Sequence, residues 1–229
     1  MPDIRDYINL SETASSICDI HTKSADFKSF YENVNELERQ SLVRHFIVNN
    51  IPFVFKNKPL LYEQSTQYIA DKLSISPTEV KLIGSAKTGF SISPPPKYGI
   101  DFGIHSDLDF SIVNEELFLK LEYEFNEWKD LFQSQLIKAI NENELKYWIE
   151  NINSVPRQLK NGFIDSHYIP NREQFYMTRR INNSRWLIQK YLDEAHQIKV
   201  KKVSVSFYKN WKSFAGRLLR NTKYVMTQL

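Results

Sequence analysis

Asp107 and Asp109 stand two residues apart in Asp-Leu-Asp-Phe-Ser-Ile-Val, a segment whose pattern otherwise reads as a strand. Successive strand side chains point to opposite faces, so carboxylates at i and i+2 leave the same face and converge. Like charges held that close repel, and desolvating them without a counter-charge is costly, so a divalent cation is the natural resolution. Mg²⁺ suits such a pair, and Mn²⁺ is the alternative, because the ion is hard, prefers oxygen and commonly binds one or two carboxylates together with substrate phosphates. A bare Asp-x-Asp also describes an acidic strand start in solvent, so its meaning depends on what lies upstream.

Upstream, Val80-Lys81-Leu82-Ile83 reads as a strand that runs straight into the small-residue turn Gly84-Ser85-Ala86-Lys87-Thr88-Gly89. A strand ending in Gly-Ser offers close backbone approach, N–H donors and a hydroxyl, the usual means of holding a phosphate. Lys87 and Ser91 add a candidate charge and a candidate hydrogen bond, so Gly84, Ser85, Lys87 and Ser91 form the expected nucleotide-binding set. Alone, Gly84-Ser85 is equally well read as an ordinary strand-ending turn; joined to the acidic pair it is much more specific.

Leu82-Ile83-Gly84-Ser85 and Ser106-Asp107-Leu108-Asp109-Phe110 together resemble the signature of the DNA polymerase β-like nucleotidyltransferases. The resemblance implies that the backbone and hydroxyl of Gly84-Ser85 hold a nucleoside triphosphate such as ATP, and that Asp107 and Asp109 are catalytic and bind metal ions. It implies Mg²⁺-dependent transfer of a nucleoside monophosphate from NTP to a hydroxyl of a protein, an RNA, a small molecule or a second nucleotide. Compact bacterial members of that superfamily act in toxin–antitoxin or phage-defence systems, which extends the expectation to antiviral defence. The chain departs from the pattern twice: the stretch Ser91 to Gly103 is longer than usual and reads as an inserted flap, and the late strand carries Ser204 and Ser206 where a third carboxylate is usual. Asp165 is the candidate for a third metal ligand, beside its reading as a loop aspartate that caps a turn. The alternative function is a catalytically degenerate nucleotidyltransferase-fold protein that binds a nucleotide or a partner and regulates it.

These residues need elements to position them. With 229 residues, 41% hydrophobic and 14% aromatic side chains, the chain can bury a substantial core. Helical spacing predicts a helix over Ala25 to Val48, closed by Pro52, and a second from Pro59 to the Ser76-Pro77 region. Strands are expected over residues 80–83 and 108–113. Leu117 to Ile140 marks a long helix with an acidic outer face, and further helices are expected over residues 145–152 and 172–195, separated by a loop at residues 162–170. Val203, Val205 and Phe207 alternate with Ser204, Ser206 and Tyr208 as in a late strand, and residues 211–226 read as a closing helix. The expected fold class is therefore α+β: a nucleotidyltransferase-type short mixed β-sheet flanked by helices, with a largely helical remainder. It forms one unit over residues 1–229, divided into an N-terminal helical extension (1–58), the catalytic core (59–113), a helical region (114–198), and the late core strand with the C-terminal helix (199–229).

The remaining signals concern partners and location. The first ten residues lack the apolar core of a secretory signal, and the most apolar stretch, Phe46 to Phe55, holds Asn49, Asn50 and Pro52 and is far shorter than the roughly 20 residues a membrane span needs. Cys18, the single cysteine, excludes an intramolecular disulfide and reads as a small buried apolar residue. A cytoplasmic protein without a membrane partner is expected. The net charge of +3 is too small to imply nucleic-acid binding. Even so, no acid follows Glu194, and eight basic residues there, from Lys199 to Lys223, interleave with Phe207, Tyr208, Trp211 and Phe214. That pattern fits a nucleic-acid footprint or, equally simply, core aromatics beside solvated bases. Arg172, Arg179, Arg180, Arg185 and Lys190 fit either a triphosphate-facing row or a solvated helix face, and His105 either a phosphate contact or an exposed loop residue.

Overall fold

The computed structural model describes residues 3–229, so residues 1–2 of the expected N-terminal extension lie outside it. That extension begins with the short helices α1 (Ile4–Ile8) and α2 (Glu12–Ser15), followed by α3 (Ser24–Asn33), α4 (Glu36–Val43) and a π-helical turn at Arg44–Val48. The single helix expected over Ala25 to Val48 is thus broken, and the cause is local. The Asn35 side chain accepts from the Glu38 backbone N–H and the Glu38 carboxylate accepts from the Asn35 backbone N–H, both at 3.0 Å, a capping box that starts a new helix in the middle of an unbroken apolar period.

The core follows as α5 (Pro59–Leu73), β1 (Val80–Ile83), the one-turn α6 (Ser85–Thr88) and β2 (Asp107–Val113). Next come α7 (Glu115–Gln133), α8 (Glu142–Lys160), β3 (Phe163–Asp165), α9 (Tyr176–His196), β4 (Lys202–Tyr208) and α10 (Trp211–Met226). Three expectations need correction. α7 stops at Gln133, and Gln135 turns the chain at φ 60°, so Leu136 and Ile140 lie exposed beyond the helix. α8 is more than twice as long as the segment expected at residues 145–152, and carries Pro156 inside it. The stretch read as a loop at residues 162–170 contains β3, whose three residues are too few to show a strand period.

The four strands form one mixed sheet in the order β1-β2-β4-β3, with β2 and β4 parallel and the outer pairs antiparallel. The protein is therefore a mixed α+β structure in which helices cover a short sheet. Alternation divides the strands cleanly between two faces. Val80 and Leu82 of β1, Leu108, Phe110 and Ile112 of β2, Ile164 of β3, and Val203, Val205 and Phe207 of β4 join one buried cluster with side chains of α5, α7, α8 and α9. Val113, Phe163 and Tyr208 join a second cluster with Phe27, Leu42, Phe214 and Leu218, from α3, α4 and α10. Asp107 and Asp109 share that second face with Ser204 and Ser206, as the pairing Asp109 to Ser204 and Ser111 to Ser206 requires. Among the described residues no helix is long and apolar enough to cross a membrane.

Candidate active site

The polar end of this second face opens into a cleft of about 480 Å³, within the usual range for ligand sites. Gly84, Ser85, Ser91, His105, Asp107 and Asp109 all line it. Residues separated by 25 positions in sequence meet because β1 lies antiparallel to β2, with Ile83 opposite Asp109. The turn after Ile83 therefore passes directly over the second carboxylate. Gly84 makes that approach possible: at φ 72°, a Cβ built on it would stand 2.8 Å from Asp109 Oδ2, a spacing that real Cβ atoms essentially never show.

The two carboxylates are held differently. Asp109 Oδ1 accepts the Ser204 hydroxyl at 2.5 Å from the neighbouring strand. Burial pushes the Asp109 carboxyl above its usual range, and the charges of Asp107 and Asp165 push the same way, against the Ser204 hydrogen bond and the Lys202 ammonium. Asp107 Oδ2 lies 3.6 Å from Lys202 Nζ, whereas its Oδ1 is buried without a hydrogen-bond partner. A buried carboxylate oxygen without a donor is a costly arrangement that a cation relieves.

No protein-family model, no curated protein and no solved structure matches this chain. The reading of the cleft therefore rests on its own residues.

Two of the expected site residues lie elsewhere. Lys87 is buried, and its ammonium donates to the backbone carbonyls of Asn49 and, at 2.5 Å, Asn50. The cause is the helical turn itself: Ser85 and Thr88, three apart on α6, share the face that lines the cleft, whereas Lys87 points inward. Asp165 stands at the end of β3 and not in a loop, and both of its oxygens are engaged. Oδ2 accepts the Ser206 hydroxyl at 3.0 Å, and Oδ1 accepts the His167 backbone N–H at 3.2 Å and contacts the His167 ring nitrogen Nδ1. The turn-capping reading of Asp165 is thus realised, and among the described residues no three acidic, histidine or cysteine side chains form a metal-ligand group.

The arginines expected on a triphosphate-facing row also serve other ends. Arg172 pairs with Glu144 at 3.1 Å, Arg179 with Glu173 at 3.9 Å, and Arg180 donates to Ser74. Arg172 precedes α9, whereas Arg179 and Arg180 stand on it, and α9 packs on the opposite face of the sheet. Of the C-terminal aromatics, Phe207, Tyr208 and Phe214 are core residues, and Trp211 alone of the four is exposed. Cys18, expected to be buried, is exposed.

Several lining residues were not assigned to this site from the sequence: Ile47 from the π-helical turn, Ser93, Lys97 and Ile100 from the flap, Leu218, Asn221 and Thr222 from α10, and Lys201 before β4, which the sequence groups only with the C-terminal basic run. The flap is built as a hairpin-like return. Ser91 N–H donates to Ile100 O at 2.8 Å, Gly99 N–H to Ser91 O at 2.9 Å, and Phe102 N–H to Gly89 O at 2.8 Å. The Tyr98 hydroxyl anchors it to Ser24 O at 2.7 Å.

Proposed function

We propose that the cleft binds a nucleoside triphosphate with a divalent cation, and that the chain transfers a nucleoside monophosphate to an acceptor hydroxyl as a nucleotidyltransferase. The observation that carries this reading is the convergence of Gly84-Ser85 with Asp107 and Asp109 at one end of a mixed sheet, close enough for Gly84 to require the absence of a side chain. Asp107 and Asp109 fit a hard cation, Mg²⁺ or Mn²⁺, since they supply oxygen ligands and one buried oxygen lacks any other partner. When bound, that ion neutralises phosphate charge and polarises the phosphoryl group. The chain's own part is positional: the Gly84 backbone admits a phosphate close to the sheet, and the Ser85 hydroxyl orients it. The acceptor hydroxyl gives up its proton to solvent, its oxygen bonds to the α-phosphorus, and the bond to the bridging oxygen breaks to release pyrophosphate. Acceptors consistent with this chemistry are hydroxyls of a protein, an RNA end, a small molecule or a second nucleotide, and a toxin–antitoxin or phage-defence setting follows from the resemblance alone.

A second reading is favoured by a specific observation. The place beside Asp109 is filled by the Ser204 hydroxyl and the charge of Asp107 is met by Lys202, while Asp165 is withdrawn onto His167 and Ser206. Such a site fits a nucleotide-binding regulator that has lost turnover. Both readings share nucleotide and metal binding, which thermal denaturation tests. Mg²⁺ with a non-hydrolysable NTP raises the melting temperature of the wild type, because ligand and ion bind only the folded site, and the Asp107→Asn/Asp109→Asn double variant loses that rise. An unchanged rise in the double variant places the ligand elsewhere and removes the basis of both readings.

A further inference from the structure

Four lysines lie at or beside the cleft, and their partners divide them into two classes. Lys87 is buried against two carbonyls and Lys202 faces Asp107. Lys97 and Lys201 line the cleft, are exposed, and have no ion-pair partner among the described residues. Both are mounted on fixed backbone. Lys97 N–H donates to Pro94 O at 3.0 Å in the turn of the flap, whose hydrogen bonds to Gly89, Ser91 and Ser24 hold it in place. Lys201 N–H donates to Ser106 O at 2.9 Å, which ties it to the residue before Asp107, and its carbonyl accepts from Gln189 at 3.2 Å. The cleft is thus lined by two acids on β2 and, from separate segments, by two lysine residues without an ion-pair partner among the described residues.

We infer that Lys97 and Lys201 form a cationic clamp for the β- and γ-phosphates of a nucleoside triphosphate, so that the cleft selects triphosphates over monophosphates and orients the polyphosphate tail toward the flap. The inference rests on the nucleotide-binding reading of the cleft and deepens it. At neutral pH the terminal phosphates carry most of a triphosphate's charge, and a lysine recognises phosphate as a point charge without needing a fixed fork geometry. Backbone that is already ordered lowers the entropic cost of closing two such side chains on a ligand. The clamp supplies the charge recognition that the sequence assigns to Lys87, which the fold commits to the interior. It also gives the inserted flap a role, since without it one of the two cations has no mount.

The test is calorimetric titration of the full chain in Mg²⁺ with three probes: an ATP analogue that cannot be cleaved between its α- and β-phosphates, AMP, and inorganic tripolyphosphate. Wild type holds the analogue at least about tenfold more tightly than AMP. Lys97→Ala and Lys201→Ala each weaken the analogue about three- to tenfold, and the double variant brings it down to the affinity of AMP, which is itself unchanged. Tripolyphosphate competes with the analogue in the wild type and not in the double variant, while Lys97→Arg/Lys201→Arg retains most of the preference. A double variant that keeps the full preference for the analogue overturns the clamp and leaves the nucleotide site standing. Absence of nucleotide binding by folded wild-type protein overturns the clamp together with the reading on which it rests.

Discussion

Gly84 holds φ 72° and ψ −162°, a region essentially closed to residues with a Cβ. Two separate penalties therefore meet any substitution there, backbone strain and collision with Asp109 Oδ2. Gly84→Ala should lower stability by about 1–3 kcal/mol, read by urea denaturation, and should also abolish the thermal shift given by Mg²⁺ and NTP. Unchanged stability together with an unchanged shift would show that the close approach to Asp109 is not what shapes the site. At this scale much of the site was legible, because Gly84, Ser85, Ser91, Asp107 and Asp109 reach one cleft and a strand's period of two is a strict rule. Lys87 was misassigned because the turn after Ser85 is helical, and one residue of helical phase decides between cleft and core. Lys97 was missed because a lysine in an aperiodic, proline-rich flap has no pattern to mark its direction, and Lys201 was grouped with the C-terminal basic run because nothing in its spacing points it to this cleft.

Between elements, Lys87 is the side chain that fastens α6, and with it the Gly84-Ser85 turn, to the end of the π-helical turn at Asn49 and Asn50. Burial is the main cause that lowers its ammonium to about 8 from the ordinary 10.5, with repulsion from Lys81 adding to it. The proton is bound less tightly in the folded state than in the unfolded chain, so its cost to stability is fully present below about pH 8 and fades as pH rises toward 10.5. Lys87→Met removes that dependence and leaves two carbonyls without their donor. The variant should be less stable by about 1–3 kcal/mol, and its deficit should widen as pH rises from about 8 to about 10. His21, held low first by burial and then by the charges of Lys87 and Lys56, should titrate higher in the same variant. A deficit that stays level with pH, with His21 unmoved, would contradict this account of the fastening. Long elements with clear periods, α5, β2, β4 and α10, were readable in advance, the last to the residue. The breaks were not: the capping box at Asn35, the stop at Gln133 and the three-residue β3 are set by hydrogen bonds and turns that leave the apolar period unchanged.

Among the described residues, the sheet is covered on one face by α5, α7, α8 and α9 and on the other by α3, α4 and α10, and the end of the second face that carries Asp107 and Asp109 is polar and opens into the cleft. The alternation in β2 and β4 already implied a two-faced sheet. Which helices cover each face was not readable, since coverage depends on the crossover from β2 through α7, α8, β3 and α9 to the parallel β4. This arrangement leaves the acidic pair on the wall of the cleft while its supports, Ser204 and the Gly84 backbone, are set by strand register. The central claim is that this polar end performs nucleotidyl transfer, and the most direct measurement follows α-labelled NTP into protein, RNA and small-molecule pools in Mg²⁺, with wild type and Asp109→Asn side by side. The account predicts label transferred by the wild type and lost on the order of 100-fold or more in Asp109→Asn, whereas transfer that survives Asp109→Asn, or a folded, nucleotide-binding wild type that transfers none, would contradict it.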